Sequence, residues 1–166
     1  MTFESASQAD TERFAEQLAA AAKAGEVYCL IGELGAGKTA FARGFARGLG
    51  ITAHITSPTF AIVNEYEGAL PLYHFDVYRI NHLAEMDDTG YEDYFYGKGV
   101  TLVEWADLVR ELWPEGAIVV IIEKIDENGG DFRRISIEKV QNECTCNRNN
   151  RSSRRRRAGL PKPHNC

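Results

Sequence analysis

GELGAGKT, residues 32–39, decides how the rest of this chain is read. Gly32, Gly35 and Gly37 surround a single Lys38, directly after the apolar run Val27-Tyr28-Cys29-Leu30-Ile31. The spacing is G-x-x-x-x-G-K-S/T, that of a phosphate-binding loop. Glycines here let the backbone take positive φ and turn successive N–H groups inward on an anion. Lys38 to Leu49 is rich in Ala and Phe and ends at Gly50, so it reads as a helix whose positive end faces the same anion. Strand, loop and helix come in the order that a bound triphosphate requires. Lys38 is placed to reach the β- and γ-phosphates, and the Thr39 hydroxyl to ligate Mg²⁺. Glu33, Leu34, Gly35, Ala36, Gly37 and Ala40 complete the expected contacts to the nucleotide.

Mg²⁺ takes one or two carboxylates besides a threonine hydroxyl. Two candidates follow or lie in apolar strands. Glu104 comes directly after Val100-Thr101-Leu102-Val103, and Asp76 sits within Tyr73-His74-Phe75-Asp76-Val77-Tyr78. A carboxylate among aromatics is costly to bury unless it is paired or metal-bound. Asp76 is also suited to orient or deprotonate the attacking water. The competing readings are an Arg79 partner or a water-facing edge for Asp76, and a helix-end carboxylate for Glu104. The segment His54 to Phe60 places hydroxyls on either side of Pro58, as a switch that senses the γ-phosphate would, or as an ordinary Ser-Pro turn. Trp105 either stacks on a base or a partner, or packs in the core. His74 is either a supporting partner of the site or a satisfied strand histidine.

Around these residues the pattern predicts a helix over 7–24, stopped by Gly25, and a hairpin of strands 59–67 and 70–78. A short helix over 81–88, a strand at 100–103, and a short helix in EWADLVRELWP ended by Pro114 follow. Strands 118–125 and 133–139 pair as a hairpin at the sheet edge, around a turn at 127–131. The acidic, aromatic stretch 85–96 reads either as a partner-facing patch or as a lid packed on its own core.

Charge divides the chain. Residues 1–140 carry 12 Lys+Arg against 23 Asp+Glu, net −11, whereas 141–166 carry 7 against 1, net +6. Residues 1–140 form the domain, and its acidity excludes a broad nucleic-acid footprint. Residues 141–166, with Arg154 to Arg157, read as a basic, disordered tail. The cysteines at 29, 144, 146 and 166 make neither a disulfide framework nor a zinc spacing. No apolar run reaches the roughly 18–20 residues that span a bilayer, and the N-terminus lacks the features of a secretory signal. The expected location is cytoplasmic.

GELGAGKT with GLG behind it, ITSPTF, NEY, YHFDVYR, DDTGYEDYF and VEWAD, in that order, resemble the TsaE (YjeE) family over roughly residues 3–139. The later motifs are far more specific than the loop. The resemblance implies an α/β, P-loop NTPase-like three-layer domain with a mixed, largely parallel sheet and antiparallel hairpins. It implies an ATP- and Mg²⁺-dependent ATPase, slow and partner-stimulated, in biosynthesis of threonylcarbamoyladenosine at position 37 of tRNA. Its implied partners are the TsaB and TsaD proteins, whose complex it resets, with tRNA reached indirectly and no membrane. By the same resemblance Lys38 and Thr39 are nucleotide and Mg²⁺ residues, and Thr56 and Thr59 the switch. Asp76 is the catalytic carboxylate, Glu104 the Mg²⁺-associated acid and Trp105 its paired aromatic. Ala40 departs from the second threonine common in the family, and the Arg-rich tail from its usual short ending. The absence of N-K-x-D favours ATP over GTP. The rival readings are a small-molecule kinase and a non-catalytic nucleotide-gated adaptor.

Overall fold

The computed structural model describes residues 1–125 and 131–140. The expected tail and most of the turn expected at 127–131 lie outside the described residues. Strands β1 (Thr2–Ser5), β2 (Val27–Ile31), β3 (Val63–Tyr66), β4 (Leu72–Asp76), β5 (Val100–Glu104), β6 (Ile118–Lys124) and β7 (Arg133–Lys139) form one sheet, ordered β1-β7-β6-β2-β5-β4-β3. β6, β2, β5 and β4 run parallel in its centre, and β1, β7 and β3 add antiparallel pairings at its margins. The central strands read as continuous apolar runs because both of their faces are covered.

One face carries α1 (Gln8–Ala20) and α2 (Lys38–Gly48); the other carries α3 (Ala84–Asp87), α4 (Tyr91–Phe95) and a 3₁₀ segment (Ala106–Leu112). Phe14, Phe41 and Phe45 pack with Tyr28, Leu30, Leu102 and Val120 on the first face. Cys29, Phe75, Val103 and Val119 meet Met86, Phe95 and Val109 on the second. Each fully buried phenylalanine contributes about 1.5–3 kcal/mol of transfer free energy. Among the described residues no helix is long and apolar enough to cross a membrane.

α1 starts where Ser7, extended at φ −157°, accepts a hydrogen bond from the Asp10 N–H at 3.2 Å. It ends at Ala20, short of the expected residue 24, and Gly25 (φ 81°) turns the chain into β2. α2 lies unusually close against it. A Cβ at Gly44 would stand 2.1 Å from the Glu12 carbonyl oxygen, and one at Gly48 2.3 Å from that of Glu16. Arg47 borders the contact, pairing with Glu12 at 2.9 Å and Glu16 at 3.4 Å.

The structure also corrects several expectations. β1 is a strand that the polar N-terminal sequence concealed, and it pairs with β7, so β7 is not the sheet edge. The strand expected from Thr59 begins only at Val63, because residues 59–62 form turns and Ile62 takes φ 67°. EWADLVRELWP forms a 3₁₀ segment rather than an α-helix, with non-helical geometry at Val109. In the 85–96 stretch core packing prevails: Tyr91 and Phe95 are buried, whereas Tyr96 is 71% exposed.

Gly44→Ala is expected to destabilise the protein by about 1–3 kcal/mol through overpacking against backbone that cannot yield. Chemical denaturation of the variant against the parent measures it.

Candidate nucleotide site

The parallel strands β2, β4 and β5 end side by side, and the loop after β2 leads straight into α2. Gly35 (φ 73°) and Gly37 (φ 111°) bend this loop through the left-handed region that favours glycine. No side chain caps α2, so the amides of its first turn are left to an anion. Two cations from the β6–β7 side brace the loop from behind. Lys124 Nζ donates to the Leu34 carbonyl at 3.0 Å, and Arg133 Nε to that of Ala36 at 2.9 Å. Neither was found by reading the sequence, because their reach depends on β6 lying beside β2.

Lys38 is 5% exposed. Its ammonium donates to the Gly32 and Glu33 carbonyls at 2.5 and 2.9 Å and lies 3.6 Å over the Trp105 ring. Burial pushes the Lys38 pKa below the ordinary lysine value, while the charges of Glu104, Asp107 and Asp76 push it back up. Trp105 is therefore neither a plain core residue nor free to swing: its ring lies under the lysine and tilts against Tyr78, with centroids 4.8 Å apart.

In register, Asp76 and Glu104 are neighbours across β4 and β5. Glu104 is 2% exposed; its Oε1 meets His74 Nε2 at 2.9 Å, and its Oε2 is 3.5 Å from the Thr39 hydroxyl. Asp76 is 4% exposed and does not pair with Arg79. Its Oδ2 accepts from the hydroxyls of Ser57, in a short hydrogen bond, and Thr59, at 2.9 Å. Its Oδ1 accepts from the Tyr78 N–H at 3.0 Å. Arg79 instead stacks on the exposed ring of Phe60, 4.3 Å from its centroid. The segment 57–60 is thus latched onto the sheet through Asp76.

A cleft of ≈ 470 Å³ gathers these groups: Leu34, Gly35, Gly37, Lys38, Thr39 and Ala40 from loop and helix, Ser57 and Thr59, Asp76 and Tyr78, and Glu104 and Trp105. Three anticipated residues stand apart. Glu33 is exposed, Ala36 is buried behind the loop, and Thr56 faces solvent. Ser57 and Tyr78 occupy the cleft although neither was singled out; Ser57 was visible only as one of the hydroxyls flanking Pro58.

The donors that could hold a cation are the Thr39 hydroxyl and a Glu104 carboxylate oxygen, both hard oxygens. Among the described residues no group of three or more His, Cys, Asp or Glu is arranged to hold a metal. That sparse donor set fits Mg²⁺, which keeps waters and phosphate oxygens in its shell, better than a metal caged wholly by protein.

Known proteins share this fold. A family profile described as threonylcarbamoyl adenosine biosynthesis protein TsaE matches residues 5–135. The chain belongs to the TsaE family. Among its relatives, the tRNA threonylcarbamoyladenosine biosynthesis protein TsaE of Bacillus subtilis is 48% identical over 134 residues, 80% of this chain and 82% of that one. The TsaE protein of Treponema pallidum is 42% identical over 116 residues, 70% of this chain and 86% of that one. The crystal structure of YdiB from Bacillus subtilis superposes with a TM-score of 0.73 at 42% identity and covers 86% of each chain. The TsaE fold therefore extends over nearly all the described residues, including every strand that contributes to the cleft.

Asp76→Ala is expected to release the 57–62 segment. Each lost hydrogen bond to a charged acceptor is worth about 1.5–3 kcal/mol, so amide exchange there should quicken by about tenfold or more. Hydrogen–deuterium exchange mass spectrometry reads this, with α2 as the internal reference that stays protected.

Proposed function

We propose that this chain is the ATP-binding and ATP-hydrolysing component of the machinery that makes threonylcarbamoyladenosine at position 37 of tRNA. In this reading it is Mg²⁺-dependent, slow by itself, stimulated by the TsaB and TsaD proteins, and resets their complex between turnovers. The observation that carries the proposal is the convergence of Lys38, Thr39, Asp76 and Glu104, from loop, helix and two strands, on one cleft.

The roles follow from the geometry. The loop amides and the uncapped start of α2 hold the phosphates. Lys38 gives up its contacts to the Gly32 and Glu33 carbonyls for phosphate oxygens. Thr39 and Glu104 would hold Mg²⁺, which would supply neutralisation of charge on the phosphate oxygens. Asp76 holds the attacking water and accepts its proton. Asp76 Oδ2 already accepts from two hydroxyls, whereas Oδ1 accepts only the Tyr78 N–H and keeps a lone pair for water. The hydroxyls of the 57–60 segment thereby fix the direction in which that oxygen faces. Among the described residues no arginine lines the cleft, consistent with slow turnover in the absence of a partner.

A kinase reading finds less support. Residues 80–99 hold no arginine, and α4 packs Tyr91 and Phe95 into the sheet face away from α2 instead of lying over the cleft as a phosphate lid. The adaptor reading differs from ours in one measurable way, the need for Asp76.

Asp76→Ala should bind ATP but turn it over about 100-fold or more slowly, the range of a lost general base. Phosphate release, measured with and without TsaB and TsaD, tests both parts; full function of the variant would favour the adaptor. Deleting residues 141–166 is expected to leave nucleotide affinity unchanged, as read by titration with a fluorescent ATP analogue.

A further inference from the structure

His74 lies inside the sheet at 0% exposure, on the strand β4 that ends in Asp76. It shares one strand face with Leu72 and is in register with Leu102 of β5. Its Nε2 meets Glu104 Oε1 at 2.9 Å, but its Nδ1 is buried with no hydrogen-bond partner among the described residues. A leucine here would fill the same apolar setting without stranding a polar atom. What a leucine cannot provide is the donor to Glu104.

Glu104 divides its oxygens. Oε1 is taken by His74 and Oε2 is turned toward Thr39 and the cleft. A glutamate side chain has three rotatable bonds, and fixing one oxygen removes most of the freedom of the other. We infer that His74 is a positioning residue: its Nε2–H anchors Glu104 so that the second carboxylate oxygen is presented beside Thr39 for Mg²⁺. The orphaned Nδ1 is the structural cost of that anchor. This rests on the Mg²⁺–nucleotide reading above and adds to it the group that sets the orientation of its acidic ligand.

Partners of metal-binding carboxylates are worth about 10- to 100-fold in metal affinity. His74→Leu is therefore expected to weaken Mg²⁺ by about that factor in the complex with a non-hydrolysable ATP analogue. Affinity for the analogue in EDTA should stay at the wild-type value. His74→Gln, whose side-chain amide can donate to the same oxygen, should restore most of the loss. In a Glu104→Ala background His74→Leu should cost nothing further, since the two residues act as one unit. A second readout needs no substitution: ¹⁵N-histidine spectra of the full-length wild-type protein should show the His74 hydrogen on Nε2.

A folded His74→Leu variant with wild-type Mg²⁺ affinity overturns the inference. So does a loss of equal size in the Glu104→Ala background, or a His74 ring protonated on Nδ1 alone. If His74→Leu does not fold, the ring spectrum decides. Wild-type protein showing no Mg²⁺-linked nucleotide binding overturns the ATPase reading together with this role. Normal wild-type binding with an indifferent His74→Leu overturns only the role of His74.

Discussion

Three ionisable side chains lie almost out of solvent within one cleft: Glu104 at 2%, Asp76 at 4% and Lys38 at 5% exposure. Unpaired, each would destabilise the fold by several kcal/mol. The structure compensates them separately. Lys38 has carbonyls and the face of an indole, Asp76 has two hydroxyls and an amide, and Glu104 has an imidazole and the Thr39 hydroxyl. Every one of these partners comes from a different stretch of chain than the charge it serves, except the loop carbonyls and the Tyr78 amide. The cleft therefore depends on β2, β4 and β5 being assembled together with residues 57–59.

What assembles it is the parallel centre. β2, β4 and β5 deliver their carboxyl ends to one side of the sheet, and α2 returns across the face of those strands. The place of α2 is set in turn by α1, through Gly44 and Gly48 lying against the α1 backbone. That contact sets how closely α2 lies against α1 along its length.

Much of this was legible in the sequence. The loop at 32–39, the apolar strands at 27–31 and 100–103, and the acids at 76 and 104 follow from spacing and from the oddity of charge among aromatics. Other features were hidden for identifiable reasons. β1 is too short and too polar to show periodicity, and it exists because β7 offers it an edge. The 3₁₀ segment has the apolar spacing of a helix, but the chain departs from helical geometry at Val109 (φ −124°), so no continuous α-helix forms. Ser57, Lys124 and Arg133 act through contacts between residues 19 to 97 positions apart, and local pattern cannot register such distances. The choice between Arg79 and hydroxyls as partners of Asp76 was likewise a matter of tertiary position.

Two residues other than glycine hold positive φ among those described, Ile62 at 67° and Trp105 at 62°. Each adjoins a cleft carboxylate: the Ile62 carbonyl accepts the Asp76 N–H at 2.9 Å, and Trp105 directly follows Glu104. Such conformations store about 1–3 kcal/mol apiece. A glycine at position 62 would relieve that tension but forfeit the Ile62 side chain packed against the core and free the unfolded chain, so the relief is offset. The bend that leads into β3 is thus fixed by a side chain that is both strained and packed, where a freer residue would leave the chain more than one course.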